Sequence, residues 1–135
     1  MSRHPFEYAV LRVVPRVERG ESINGGVIVY CRSLEYLGAA VHLDVDRLLA
    51  LDPAADVEHV AAALHAIAET CDGAGPAGGD EIGARFRWLT APRSTAIQPG
   101  PVHTGLTSDP AAEQARLLDV LVRAPVQPAK RDDNA

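Results

Sequence analysis

Aromatic side chains are scarce: 135 residues include one tryptophan, two phenylalanines and three tyrosines. A nucleic-acid platform built from stacked aromatics is therefore not expected. There is no excess of positive charge either, since the formal net charge is -5. That balance argues against non-specific binding to phosphate backbones or anionic membranes, both of which need a cationic field. Only two cysteines occur, Cys31 and Cys71, without CxxC spacing. Neither a zinc knuckle nor a dithiol redox motif is suggested, and both are expected as ordinary reduced thiols. No apolar run approaches the roughly 20 residues of a membrane-spanning helix. The N-terminal apolar stretch is broken by Arg12, Pro15 and Arg16, so it does not read as a signal-peptide core and a cytoplasmic location is expected. With 47% hydrophobic residues, the chain can bury one core, built mainly from Ala, Val, Leu and Ile.

The order of patterns predicts a single α+β domain over residues 1–124 and a flexible tail over 125–135. "FEYAVLRVVP" from Phe6 to Pro15 reads as a strand, with Leu11 and Val13 on one face and Tyr8, Val10, Arg12 and Val14 on the other. "RVERGESINGG" reads as a turn, with Asn24, Gly25 and Gly26 able to adopt positive φ at low cost. "GGVIVYC" is a strand covered on both faces, and "YLGAAVHLD" a third strand, giving an antiparallel meander. "DVDRLLAL" predicts a short helix capped by Asp44 or Asp46. The clearest helix lies between Asp56 and Cys71, where Val57, Val60, Ala61, Leu64, Ile67, Ala68 and Cys71 form one stripe. "IGARFRWL" begins as a short helix, "STAIQP" and "VHTGL" are extended, and a last helix starts at Pro110 with Asp109 as its cap. The sheet is expected to be mainly antiparallel and covered by two main helices.

One segment departs from the acidic average. "RFRWLTAPRSTAIQPGPVHTG" holds three arginines, and no carboxylate occurs between Ile82 and Ser108. Arg85, Arg87 and Arg93 carry guanidinium forks that pair with phosphate or carboxylate. Ser94 and Thr95 sit beside Arg93, where hydroxyls and backbone N–H groups can complete an anion nest. His103 and Thr104 add a side chain able to transfer protons near neutrality and a further hydroxyl. Arg12 and Arg16 join this set only if the first strand lies alongside. The bland reading of the same segment is an irregular connection around a sheet edge.

Other constellations have structural readings. His42, Asp44 and Asp46 alternate as metal ligands would, but helix capping explains the aspartates better. His59 and His65 are six residues apart, which is not a one-turn metal pair, and read as solvated helix residues. "GESINGG" lacks phosphate-loop spacing, and no GxSxG, HExxH or kinase signature occurs. No cofactor and no metal are expected.

The chain resembles the bacterial domain of unknown function 3037 family. The similarity is carried by "YAVLRVVPRVERGESINGGVIVYC", "LGAAVHLDVDRLLAL" and "RFRWLTAPRSTAIQPGPVHTGLTSDP". Arg12, Pro15, Arg16, Glu21, Asn24, Gly26 and Val27 match the family's first motif, whereas Gly25 stands where a valine-like residue is often found. The resemblance implies no assigned reaction. Because relatives in actinobacteria are commonly encoded beside a HipA-type kinase-like protein, it implies an accessory role in that setting.

The expectation is thus a small cytoplasmic accessory or interaction module. It would work with a kinase-like or peptide-modifying partner and use Arg12, Arg16, Arg85, Arg87, Arg93, Ser94, Thr95, His103 and Thr104 to recognise an acidic peptide or phosphate-containing ligand. The alternative is a small enzyme acting on a phosphate- or nucleotide-containing substrate, with His103 as general acid or base. A third reading is a structural homo-oligomer joined through an exposed sheet edge. Convergence of Arg12, Arg16, Arg85, Arg87, Arg93 and His103 on one pocket is the geometric requirement of the anion site in either reading, and dispersion would demote it.

Overall fold

The strand His4–Val13 (β1) alternates as its sequence predicts: Ala9, Leu11 and Val13 are fully buried on one face, while Phe6 and Tyr8 pack on the other. A computed structural model describes residues 2–75, 77–123 and 125 of the chain. The tail expected over 125–135 therefore lies, except for Pro125, outside the described residues.

The strand Ile23–Cys31 (β2) is central, with Val27, Val29 and Cys31 on one face and Ile28 and Tyr30 on the other. Its continuous apolar run is explained by helices on both sides. Tyr36–Val41 (β3) pairs with β2, and β2 with β1. The outer edge of β1 is shared end to end: Ile97–Pro99 (β4) pairs with Leu11–Val13, and His103–Thr107 (β5) with His4–Tyr8. Every pairing is antiparallel. Gly100 bridges the two edge strands by donating its N–H to the Val10 carbonyl at 2.7 Å.

Helices Val45–Leu51 (α1), Val57–Cys71 (α2) and Ile82–Thr90 (α3) cover one face through Leu48, Val60, Leu64, Cys71, Phe86 and Leu89. Full burial of such a side chain contributes about 1.5–3 kcal/mol. Helix Pro110–Leu117 (α4) and the π-helical turn Leu118–Val122 cover the opposite face through Leu117, Leu118 and Leu121. The two helices expected to cover the sheet thus sit on its opposite sides. Asp44, Asp56 and Asp109 accept hydrogen bonds from the backbones of Arg47, His59 and Ala112, capping α1, α2 and α4. Among the described residues no group of three or more His, Cys, Asp or Glu is placed to hold a metal ion.

The first hairpin differs from its predicted geometry. Positive φ falls at Gly20 (+69°), in the turn after Val17, while Gly25 and Gly26 belong to β2 as the strand "GGVIVYC" predicts and Asn24 joins them there. Register moves from Leu11↔Gly26 to Arg12↔Asn24, so Gly25 is the extra residue of a bulge. A Cβ at Gly25 would lie 2.7 Å from Val13 Cγ2 and 3.2 Å from Leu64 Cδ1. Close packing on the core, not backbone freedom, is what glycine permits here. Asn24 is likewise not a turn residue: its Nδ2 donates to the Leu121 carbonyl at 2.8 Å, tying the hairpin to the C-terminal turn.

Both cysteines are buried and free, on opposite faces of the sheet. Burial, reinforced by the Asp72 carboxylate, pushes the Cys71 thiol up to about 12. It is an inert core side chain at neutral pH. Among the described residues no helix is long and apolar enough to cross a membrane.

Candidate functional site

The residues of the basic segment are placed by different elements and do not share one pocket. Arg85 is spent on the end of α2. Its Nη1 donates to the carbonyls of Cys71 at 2.8 Å and Thr70 at 3.4 Å, and its Nε to that of Asp80 at 2.9 Å. A guanidinium there satisfies the Cys71 carbonyl left open by the helix end, adds to the Gly73 N–H already on the Thr70 carbonyl, and complements the negative end of the helix dipole. Arg87 pairs with Glu7 at 2.9 Å and lies 5.3 Å from the Phe86 ring centre. Arg16 pairs with Asp52 at 3.3 Å and Glu18 at 3.7 Å.

The remaining residues divide between the two faces. The His103 ring is 5.3 Å from that of Tyr8, whose side chain packs with the core under α4. Arg12 is exposed, its guanidinium carbon 3.4 Å from where a Cβ on Gly100 would stand. Thr104 is exposed and registers with Glu7. Arg93 belongs to the face of α2 and α3, its guanidinium carbon 4.6 Å from the Trp88 ring centre, and it donates to the Trp88 carbonyl. Thr95 Oγ1 donates to the Ile97 carbonyl at 2.8 Å, and Ser94 is exposed. His103 and Arg93 are thereby held on opposite sides of the sheet.

Arg93 and Thr95 do meet in a cleft of about 300 Å³ between α2, α3 and the start of β4. Its floor is apolar, made by Ala63, Ala66, Ile67, Leu89 and Ile97. Trp88, 47% exposed, stands at its wall. The ionisable groups lining it are His59 and Arg93, with no carboxylate. Such a site accepts an apolar group that carries or adjoins a negative charge. A cation stacked on tryptophan is also pre-positioned for an incoming anion.

The sequence reading missed the α2 side of this cleft. His59, Ala63, Ala66, Ile67 and Thr70 recur at three- and four-residue spacing, a second stripe beside the core stripe of the same helix. Its small alanines leave the space that Trp88 borders. His59 was expected to be a solvated helix residue; it is exposed but stands at the rim of this cleft.

A second cleft, of about 880 Å³ and polar, opens at the other end of α3. Arg85 and Arg87 line it together with Glu7, Tyr30, Arg32, Glu35 and Glu81. Six charged side chains balance in sign there, so this cleft is not a simple anion site.

Comparison with known proteins bears on the family alone. No curated protein and no solved structure matches the chain significantly. A family model described as a protein of unknown function (DUF3037) matches residues 8–122. That span runs from Tyr8 in β1 through the π-helical turn and takes in the Trp88–Arg93 cleft and the lining of the polar cleft except Glu7, and the chain belongs to this family.

Proposed function

We propose that this protein is a small bacterial interaction module of the cytoplasm that docks an acidic, partly apolar peptide segment of a partner protein in the Trp88–Arg93 cleft. The observation that carries the reading is the exposed Trp88 with Arg93 stacked on it, beside an apolar floor and with no carboxylate in the lining. Tryptophan and arginine are the side chains that most often dominate binding energy when an interface covers them. The apolar floor favours a peptide side chain, and the guanidinium, with His59 also in the lining, favours a neighbouring carboxylate or phosphate. A HipA-type kinase-like protein, implied by the family resemblance, is the partner to test first.

Co-purification of the two proteins, followed by titration at micromolar concentration, tests this reading. Wild type is expected to hold the partner, and Trp88→Ala and Arg93→Ala to lose it while remaining folded. Two folded proteins that stay independent would defeat this partner assignment. Retention of the partner by both variants would defeat the cleft.

A further inference from the structure

The polar cleft at the start of α3 shares no lining residue with the Trp88–Arg93 cleft. At its wall is Tyr30, which is only 8% accessible and has its ring stacked on Phe86 at 5.2 Å. Its hydroxyl has no hydrogen-bond partner among the described residues. Because no fully buried side-chain oxygen or nitrogen there lacks a partner, this hydroxyl must be wetted by the cleft. It is held against the first turn of α3, where a Cβ on Gly83 would stand 2.9 Å from it. Any larger residue at 83 would crowd the hydroxyl.

The same turn offers free donors. Glu81 occupies the N-cap position without a side-chain capping bond. Among the described residues nothing accepts from the N–H groups of Ile82, Gly83 and Ala84. A helix start left open in this way attracts a carboxylate. The charges around it sort into used and unused. Arg87 is paired with Glu7, and Arg85, though it has no ion pair, has its Nε and Nη1 on carbonyls, which leaves Arg32, Glu35 and Glu81 as the charged lining side chains without a polar partner among the described residues. Glu35 is also the one non-glycine residue described with positive φ, at +50°.

We propose that this cleft binds an amino acid with a cationic side chain. Its α-carboxylate lies on the α3 N–H groups, the Tyr30 hydroxyl and the Arg32 guanidinium. Its ammonium group and side-chain cation face Glu35 and Glu81. One guanidinium free to donate, reinforced by a helix start, together with two carboxylates free to accept, fits a ligand with one negative and two positive centres. Alanine lacks the side-chain cation, and glutamate would bring a second carboxylate toward Glu35 and Glu81.

Titration of the isotope-labelled full chain with L-arginine, followed by amide NMR, tests the proposal. Saturable shifts are expected at Gly83 and Ala84. Agmatine, which lacks the carboxylate, and L-alanine, which lacks the side-chain cation, are expected to bind about tenfold or more weakly. Tyr30→Phe and Arg32→Ala should each weaken L-arginine by a similar factor, with the spectrum of Arg32→Ala otherwise showing a native fold. Nα-acetyl-L-arginine, which lacks the α-ammonium, is expected to bind about tenfold or more weakly, and binding as tight as that of L-arginine would overturn the pairing of that group with Glu35 and Glu81. Trp88→Ala should leave L-arginine binding unchanged, which separates this site from the partner cleft. The proposal is overturned by absence of saturable shifts up to about 10 mM, by equal binding of agmatine, or by wild-type affinity in Arg32→Ala.

Discussion

Arg93 stacks on Trp88 and also donates to its backbone carbonyl, so one side chain both closes the turn after α3 and presents a cation at the mouth of an apolar cleft. A lysine at 93 would keep the charge but lose the planar stack. Arg93→Lys is therefore expected to weaken partner binding by about tenfold, and Arg93→Ala further. Thermal unfolding should change little for either variant, because the stack is at the surface and contributes about 0.5–1 kcal/mol. Binding isotherms alongside melting curves check both halves of the expectation.

Arg85 should behave in the opposite way. Its guanidinium meets three carbonyls at the end of α2 and in the loop beyond. Arg85→Ala leaves those acceptors without that donor and is expected to destabilise the fold by about 1–3 kcal/mol. A melting temperature equal to that of wild type would show that water replaces the arginine without loss.

Gly25→Val tests the close packing at the bulge. In this chain the new side chain would press on Val13 and Leu64, since even a Cβ comes within 2.7 Å of Val13. Overpacking of this kind costs about 1–3 kcal/mol. Gly25→Val combined with Val13→Ala should recover part of that loss, and a denaturation series of the three variants measures the coupling.

The Cys71 thiol is held neutral by burial, with its titration pushed up to about 12 from an ordinary value of 9.0. A folded-state value above the unfolded one means that the unfolded chain loses this proton first. The stabilising contribution is therefore complete below about 9 and is lost as pH rises toward 12. Denaturation midpoints measured across that range should fall more steeply for wild type than for Cys71→Ala. Alkylation of Cys71 at pH 8 should likewise be slow in the native protein and fast in denaturant.

Much of the fold is legible locally. Alternation in β1, the unbroken apolar run of β2, the stripe of α2, the aspartate cap at 109 and the choice of Asp44 or Asp46 as cap of α1 all predict what forms. Each is a relation between residues within a few positions of one another. The composition of Asn24, Gly25 and Gly26 suits a positive-φ turn and a bulge equally. What separates the two is contact with Val13, Leu64 and Leu121, which lie in other elements.

The basic segment shows the same limit more sharply. Its lack of carboxylates is a property of sequence, but a guanidinium's role depends on the nearest acceptor in space. Arg85 found the carbonyls of Thr70 and Cys71, Arg87 found Glu7, and Arg93 found Trp88. His103 went to the far face because β5 registers its residue 103 opposite Tyr8.

By itself, then, the amino-acid order determined the class of fold, the order of its strands and helices, their caps, and a charge pattern that disfavours nucleic acid. These follow from periodicity and local hydrogen bonding. Only the tertiary structure decided which arginines are used up and which surfaces stay open. Those outcomes depend on pairings across 14 to 80 positions of chain, such as Arg85 with Cys71 and Arg87 with Glu7, and no local pattern encodes them.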